Sequence, residues 1–265
     1  ILPAAVVASD GLVRFALGRG IWATSGVPRL IGILPSSTAL GVYLAVALAG
    51  GLTLALAAPS AERRAAGLLS VPLLLGVLLT FTRGAWIGVL GALALVLVLR
   101  RSWRTIGGLA GAGTAALLGL GLLQPTLLAR VLRLGEGTGS ARREIWAAAL
   151  RAVQDSPLLG LGIDQFSHVD PARYAIPQIR FLTLAHPHNL GLDVWLQLGA
   201  LGLIVVVTML ALTARRLWCA RRNPVALAAL AMLIDVVVHG MLDQTLLGGD
   251  LFYLWWMLVL LGLSA

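Results

Sequence analysis

Two histidines and an asparagine stand where a long polar segment meets an apolar one. The string is Ala185-His186-Pro187-His188-Asn189, followed at once by Leu190-Gly191-Leu192. Imidazole is the side chain whose ordinary pKa lies near neutral pH, so a histidine at the mouth of a membrane helix can serve in acid-base chemistry. His188 is the first candidate because only it adjoins the helix, and His186 is the second. The alternative for either is a polar residue at the membrane interface.

Polar residues continue down one face of the helix that this string begins. Asn189 is suited to cap that helix, and Asp193 and Gln197 follow it at spacings of four residues. A histidine, a carboxylate and an amide are therefore expected along one side of a membrane helix. This alignment favours the functional interpretation of His188.

Arginines in unusual places are candidates for binding an anion. Arg83 interrupts two apolar runs, which indicates either a functional cation facing a cavity or an arginine reaching to the lipid head groups. Arg142 and Arg143 stand at the start of a predicted helix, where guanidinium groups beside free backbone N–H groups can cradle a phosphate. The alternative for that pair is solvated charges, one of them paired with a nearby glutamate.

Asp235, His239 and Asp243 are spaced by four residues along another apolar segment. Ligands at that spacing could hold a metal ion. A buried polar seam that supports a neighbouring site is the favoured interpretation, because no cysteine and no second carboxylate cluster accompanies them. We therefore predict no metal and no cofactor.

Composition places the chain in the membrane. Of 265 residues, 59% are hydrophobic and 12% are charged, against about 45–50% and about 25% in soluble domains. The net charge of +9 comes entirely from arginine, in short clusters between apolar runs, and does not indicate a nucleic-acid partner. The single cysteine, Cys219, excludes a disulfide within the chain.

The elements that must position these residues are predicted to be an all-α bundle of about seven transmembrane helices. The predicted spans are residues 38–58, 66–82, 84–99, 105–123, 189–214, 224–241 and 251–265. Residues 1–37 are predicted to be an outer-face segment or the remnant of a preceding span. Residues 38–123 hold the first four helices of a single membrane domain. Residues 124–188 form a long loop, and residues 189–265 hold the last three helices. The domain is expected to be incomplete at its N-terminus.

Clusters of arginine predict the orientation. Arg63 and Arg64, Arg100 and Arg101, and Arg215 and Arg216 follow the first, third and fifth spans, so alternating spans put all three clusters on one side, the cytoplasmic one. Arg83 and the loop 124–188 then lie on the outer face. Within the loop, residues 140–156 carry an apolar stripe and predict an amphipathic helix lying on the membrane surface, ended by Pro157.

Six short motifs, in this order, resemble those of the O-antigen ligase and polymerase superfamily. They are Arg29-Leu30-Ile31-Gly32, Phe81-Thr82-Arg83-Gly84-Ala85-Trp86, Ser140-Ala141-Arg142-Arg143-Glu144-Ile145-Trp146, Pro157-Leu158-Leu159-Gly160-Leu161-Gly162, His186-Pro187-His188-Asn189 with Gly199-Ala200-Leu201-Gly202-Leu203, and His239-Gly240-Met241-Leu242-Asp243. The chain departs from the family in having fewer spans and in Pro35-Ser36, where the family often has Pro-Asn.

The resemblance implies a function. Members of the family transfer a glycan from a polyprenyl (undecaprenyl) pyrophosphate to an acceptor hydroxyl at the outer face of the bacterial inner membrane. By resemblance, Arg83 and Arg142, with Arg143 beside it, bind the pyrophosphate, and His188 is the catalytic base. Asn189, Asp193, His186, Arg29, His239 and Asp243 are the expected supporting residues. The acceptor is a lipid A core, a growing glycan or a protein hydroxyl, and membrane lipids surround the chain.

Other functions stay open at the level of sequence. A repeat-unit polymerase or a protein O-oligosaccharyltransferase would share the same motifs. A transporter or flippase would use the charged residues to line a path, but it predicts paired internal repeats, and none is evident. An inactive scaffold derived from the family is the third alternative. The absence of a phosphate-loop motif, a G-x-S-x-G motif and a C-x-x-C pair disfavours an ATP-driven pump, a serine hydrolase and a thiol redox protein.

Overall fold

The computed structural model describes residues 1–24, 27–123, 138–170, 173–174 and 186–243, and most of this part is helical. The predicted span 251–265 and the stretches 124–137 and 175–185 of the predicted loop lie outside it. The described elements are α1 (Leu2–Ala16), β1 (Ile21–Thr24), β2 (Val27–Leu30), α2 (Ser37–Ala57), α3 (Ser60–Leu79), α4 (Arg83–Leu99), α5 (Trp103–Leu123), α6 (Thr138–Asp155), a 3-10 turn (Gln165–His168), α7 (Leu190–Cys219) and α8 (Pro224–Gly240).

Helix α2 is the centre of the bundle. Its leucines at spacings of four, Leu40, Leu44 and Leu48, are completely buried. They belong to a core formed with α1, α3 and α4, while Val42 and Val46 of the same helix belong to a second core shared with α7 and α8. Because both faces of α2 are covered, it carries apolar residues all round, as a fully buried helix does.

Two described helices are long and apolar enough to cross a membrane, α2 and α7, and the apolar helices α4 and α8 are shorter. Helix α7 has 30 residues, or about 45 Å at the usual rise, which exceeds the hydrocarbon thickness of about 30 Å. Its second part exposes Leu201, Ile204 and Val205, as a lipid-facing surface would. The count of about seven spans and the division of the chain into its segments stay predictions.

A small antiparallel hairpin departs from the all-α expectation. Strands β1 and β2 pair with Ile21 opposite Leu30 and Trp22 opposite Arg29. Gly20 and Gly32, at its two ends, have φ of 60° and 56°, in the left-handed region that favours glycine. Leu30 is fully buried in the core formed by α1 to α4, so the hairpin is fastened to the bundle by its second strand. Strands of four residues are too short to produce a periodic hydrophobic pattern in the sequence.

The connections between helices gather at two opposite ends of the bundle. One end brings together the C-termini of α2 and α4 and the α7–α8 turn, where Ala57, Leu99 and Arg222 line one cavity. The other end holds the α3–α4 turn, the hairpin, the start of α7 and the end of α8. There Arg29 bonds to Thr80, and Asn189 bonds to Met241.

Helix α5 carries four glycines in its first half. A small-residue face at Gly107, Gly108, Gly111 and Gly113 predicts close helix packing. In the part of the chain that the structure describes, no atom lies within 4 Å of a Cβ built at any of these four positions. The described residues therefore include no packing partner for this face, and its close packing stays a prediction.

Candidate functional site

His188 and Asp243 form the centre of the site. His188 Nδ1 lies 2.8 Å from Asp243 Oδ1, across 55 positions of sequence. The Asp243 side chain is 10% exposed and that of His188 is 35% exposed, so the carboxylate is covered and the ring faces the open side. A carboxylate accepts a hydrogen bond from Nδ1–H, which leaves Nε2 as the ring nitrogen with a free lone pair.

The chain around His188 is held in an uncommon backbone conformation. His188 has φ of 51°, a left-handed value that is infrequent outside glycine and often found at functional sites. Its backbone N–H donates to His186 Nδ1 at 3.4 Å, and the two imidazole rings meet edge to face with centroids 4.2 Å apart. On the other side, Trp146 Nε1 donates to Pro187 O at 2.7 Å. Helix α6 therefore fixes the histidine loop from outside.

Asn189 joins the two helices that carry the dyad. Its side-chain oxygen accepts from Leu192 N at 3.0 Å, which confirms the predicted cap of α7. Its amide nitrogen donates to Met241 O at 3.3 Å, just beyond the end of α8. One side chain thus sets the start of α7 beside the turn that presents Asp243.

The α3–α4 turn brings Arg83 to the same end of the bundle. Arg29 donates from Nε to Thr80 O at 2.7 Å, and Thr82 Oγ1 donates to Ser37 O at 3.1 Å. Burial lowers the pKa of Arg29, the nearby charge of Arg83 lowers it further, and Asp243 opposes both. Arg29, Arg83 and Asp243 are therefore electrostatic neighbours, and the hairpin supports the turn on which Arg83 begins α4.

Arg142 approaches the site from α6. Burial lowers the pKa of His186 to about 4, the charges of His188 and Arg142 add to this effect, and Asp243 and Asp164 oppose it. Arg142 is half-buried, whereas Arg143 is exposed at the next position of the helix. The structure thus brings Arg142 near the histidines and does not bring Arg143 to them.

Asp193 and Gln197 lie on one side of α7, as their spacing predicts, and they hold a neighbouring loop. Both are buried, and Gln197 Nε2 donates to Asp193 Oδ1 at 2.8 Å. Gln197 Oε1 then accepts from Asp164 N at 3.2 Å. The pair therefore anchors the loop that follows α6.

That loop fills a break in α7 at Gly199, a feature that sequence reasoning missed. Gly199 has φ of 70° and ψ of −175°, outside helical values. The backbone groups freed by the break pair with the loop, in the bonds Leu161 N to Leu196 O, Gly162 N to Gln197 O, Ala200 N to Pro157 O and Leu201 N to Leu158 O. A Cβ at Gly160 would lie 2.6 Å from Gln197 O, so the close approach requires glycine there. The sequence signal for this contact was the pair of glycine motifs Gly160-Leu161-Gly162 and Gly199-Ala200-Leu201-Gly202.

His239 and Asp235 lie deeper in the bundle, completely buried on α8. They pack against Gly84 and Gly88 of α4, where an added Cβ would lie 2.7 Å from His239 Nε2 and 3.1 Å from Asp235 Cγ. Within the described part of the chain, neither side chain has a hydrogen-bond partner. They are buried polar residues below the site, and the Asp243 side chain bonds to His188. Their role as a supporting polar seam stays a prediction.

His186, His188 and Asp243 are the described residues that could hold a metal ion. Each offers one ligand atom, and these atoms lie within 4.8 Å of one another. Two imidazoles and a carboxylate suit a transition metal. The sequence spacing suggests Asp235, His239 and Asp243 as possible metal ligands. The structure instead groups Asp243 with His186 and His188.

Comparison with known proteins places the chain in a family. A family model described as O-Antigen ligase matches residues 68–207, which include Arg83, Arg142 and His188. The chain is 32% identical over 177 residues to an O-antigen ligase of Pseudomonas aeruginosa, a match that covers 66% of this chain and 41% of the relative. The chain thus spans about two fifths of the length of that relative. It is a membrane protein, and it belongs to the O-antigen ligase family.

Proposed function

We propose that this chain carries the catalytic site of a membrane glycosyltransferase. It would move a glycan from a polyprenyl (undecaprenyl) pyrophosphate donor to an acceptor hydroxyl at the outer face of the bacterial inner membrane. The observation that carries the proposal is the His188–Asp243 pair, set at the same end of the bundle as Arg29, Arg83 and Arg142. Family membership supports ligase-like glycan transfer, and the donor and its site are our proposal.

His188 is the proposed general base. With Nδ1 bonded to Asp243, Nε2 accepts the proton of the acceptor hydroxyl as its oxygen attacks the anomeric carbon. Asp243 does not touch the reacting atoms. It fixes the tautomer and orientation of the ring and stabilises the imidazolium that forms, as carboxylates do beside catalytic histidines. Proton transfer to a positioned base contributes about 100- to 10,000-fold to the rate.

The arginines are proposed to stabilise the leaving group. As the bond from the anomeric carbon to oxygen breaks, negative charge grows on the departing polyprenyl pyrophosphate. Arg83 and Arg142 are proposed to bind that group, because planar guanidinium groups match phosphate oxygens and stay charged. Losing one such contact should cost about 3 kcal/mol, or about 100-fold, by analogy with lost oxyanion donors. Attack opposite to the leaving group inverts the anomeric centre, and product stereochemistry by NMR would show retention if this step were wrong.

Reconstitution tests the proposal against its rivals. The chain is placed in vesicles with a labelled polyprenyl-pyrophosphate glycan and an added acceptor. Transfer of label to the acceptor supports the enzyme, movement of the glycan into the lumen without transfer supports a transporter, and neither supports a scaffold. Transfer must fall in His188→Ala while donor binding persists, and near-normal turnover of that variant would show that the base is another residue.

Removal of metal tests whether the arginines suffice. The proposal assigns all charge stabilisation to guanidinium groups, so turnover should be unchanged after incubation with excess EDTA. If turnover fell and Zn²⁺ or Mn²⁺ restored it, the ligand set His186, His188 and Asp243 would become the reactive centre instead. Parallel assays of donor binding distinguish loss of a metal from general inactivation.

A further inference from the structure

The end of the bundle opposite to His188 has a cationic cavity that the proposed reaction does not use. Its volume is about 430 Å³, within the range of about 300–1,000 Å³ usual for small-molecule sites. The lining consists of Ala57, Leu99, Arg100, Arg221, Arg222, Pro224 and Leu227. Three arginines thus share one cavity, and the other four residues that line it are apolar.

The three arginines come from two separate connections, so the cavity is a product of tertiary packing. Arg100 follows α4, and Arg221 and Arg222 occupy the turn between α7 and α8. Ala57 adds the end of α2. None of the three arginines forms an ion pair with a carboxylate in the described part of the chain. A ligand for this cavity is therefore anionic.

Arg221 is already oriented. Its Nη1 donates to Trp218 O at 2.7 Å, and its guanidinium carbon lies 4.6 Å from the centroid of the Trp218 ring. A guanidinium held in this way loses little side-chain entropy when its remaining N–H groups bind an anion. Trp218 is 42% exposed, and tryptophan is enriched at the level of lipid head groups.

We propose that this cavity binds the phosphate of an anionic glycerophospholipid from the leaflet opposite to the proposed active site. Basic pockets between transmembrane helices are sites for such head groups. Leu99 ends α4 and Leu227 lies in the first turn of α8. Both are apolar and would contact the first carbons of the acyl chains. Occupancy joins the end of α2, the end of α4 and the α7–α8 turn. The opposite ends of α4, α7 and α8 carry Arg83, His188 and Asp243.

Lipid titration of the purified chain in a neutral detergent tests this site. Native mass spectrometry counts bound lipids, and thermal unfolding reports stabilisation, with phosphatidylglycerol and phosphatidylcholine as the two probes. The expected result is one saturable phosphatidylglycerol bound at least tenfold more tightly than phosphatidylcholine, with a rise in Tm. Equal binding of the two lipids overturns the proposal.

Matched variants locate the effect. R100Q/R222Q removes two cavity charges, while R64Q/R104Q removes two charges from the first turns of α3 and α5, at the same end of the bundle. Phosphatidylglycerol affinity should fall at least tenfold in the first and stay within twofold in the second. An equal loss in both would mean diffuse surface attraction and would reject the site.

Two further measurements complete the test. Inorganic phosphate and glycerol 1-phosphate, added at the lipid concentration, should leave Tm unchanged, and an equal shift would assign the cavity to a soluble phosphate rather than to a lipid. R100K/R222K keeps the charge and guards against misfolding of the glutamine variant. It should retain the preference for phosphatidylglycerol, and loss of preference in a folded lysine variant counts against the charge argument.

Discussion

At the scale of the residue, Asp243 decides between the two histidines. Both histidines precede α7, yet Asp243 bonds to His188 and not to His186, which is half-buried beside it. Burial lowers the pKa of His186 to about 4, so this ring stays neutral at physiological pH. The neutral ring of His186 accepts a hydrogen bond from His188 N, so His186 supports the loop.

Asp243→Asn tests the proposed division of work within the dyad. An amide keeps the shape of the side chain but favours the wrong tautomer of His188, so turnover should fall by about 100- to 10,000-fold. Donor affinity should stay within a few-fold, because Asp243 does not bind the pyrophosphate. Turnover and binding of labelled donor are measured separately on reconstituted protein. A variant that lost donor binding and kept turnover at saturation would contradict this assignment.

His186 should make folding sensitive to acid. Its pKa is about 4 in the folded chain against 6.5 for the free side chain, so between these values the unfolded chain binds more protons. Stability is therefore full above pH 7, falls as pH drops from 6.5 to 4, and loses on the order of 3 kcal/mol at most. His186→Asn should flatten this part of the Tm profile in detergent. If both proteins lose Tm in parallel over that range, the acid sensitivity arises elsewhere.

At the scale of the element, the broken helix α7 and the loop after α6 form one unit. The loop supplies the hydrogen bonds that the backbone loses at Gly199, and Gln197 with Asp193 anchors the following residues. Breaks at membrane depth need such partners, because lipid offers none. The same unit places α6, and hence Arg142 and Trp146, over the histidine loop.

Gly199→Ala should therefore damage the site from a distance. Alanine is strained at φ of 70°, and its Cβ would collide with Leu158 O. We expect a loss of about 2–4 kcal/mol in stability and a matching fall in active protein. Gly111→Ala on α5 is the control, since nothing described lies within 4 Å of its Cβ and helix propensity favours alanine by up to about 1 kcal/mol. Equal Tm values for the two variants would refute the role of the break.

Sequence predicted some elements well and others not at all, for physical reasons. The predicted span 38–58 agrees with the helix Ser37–Ala57, and the predicted span 84–99 agrees with the helix Arg83–Leu99. In both cases the two ends of a long apolar run show where the helix begins and ends. The hairpin at β1 and β2 was missed since it is short and anchored by one leucine. The residues of the dyad were named separately, but a contact across 55 positions leaves no periodic signal.

At the scale of the whole molecule, α2 links the two ends of the bundle. It contributes to the core with α1, α3 and α4 on one face and to the core with α7 and α8 on the other. The proposed active site and the cationic cavity therefore share one rigid support. A change in the middle of α2 should loosen both ends, whereas a change on the surface that faces lipid should loosen neither.

Leu44→Ala tests this expectation against Leu201→Ala. Leu44 is completely buried, so its truncation leaves a cavity and should cost about 2–5 kcal/mol. Leu201 is 54% exposed on α7, so an alanine there leaves no internal cavity and should cost little. Thermal unfolding in detergent should give a clearly lower Tm for Leu44→Ala, with donor binding and phosphatidylglycerol binding lost at the same temperature. If the two binding activities instead disappeared at well-separated temperatures, α2 would not couple the ends of the molecule.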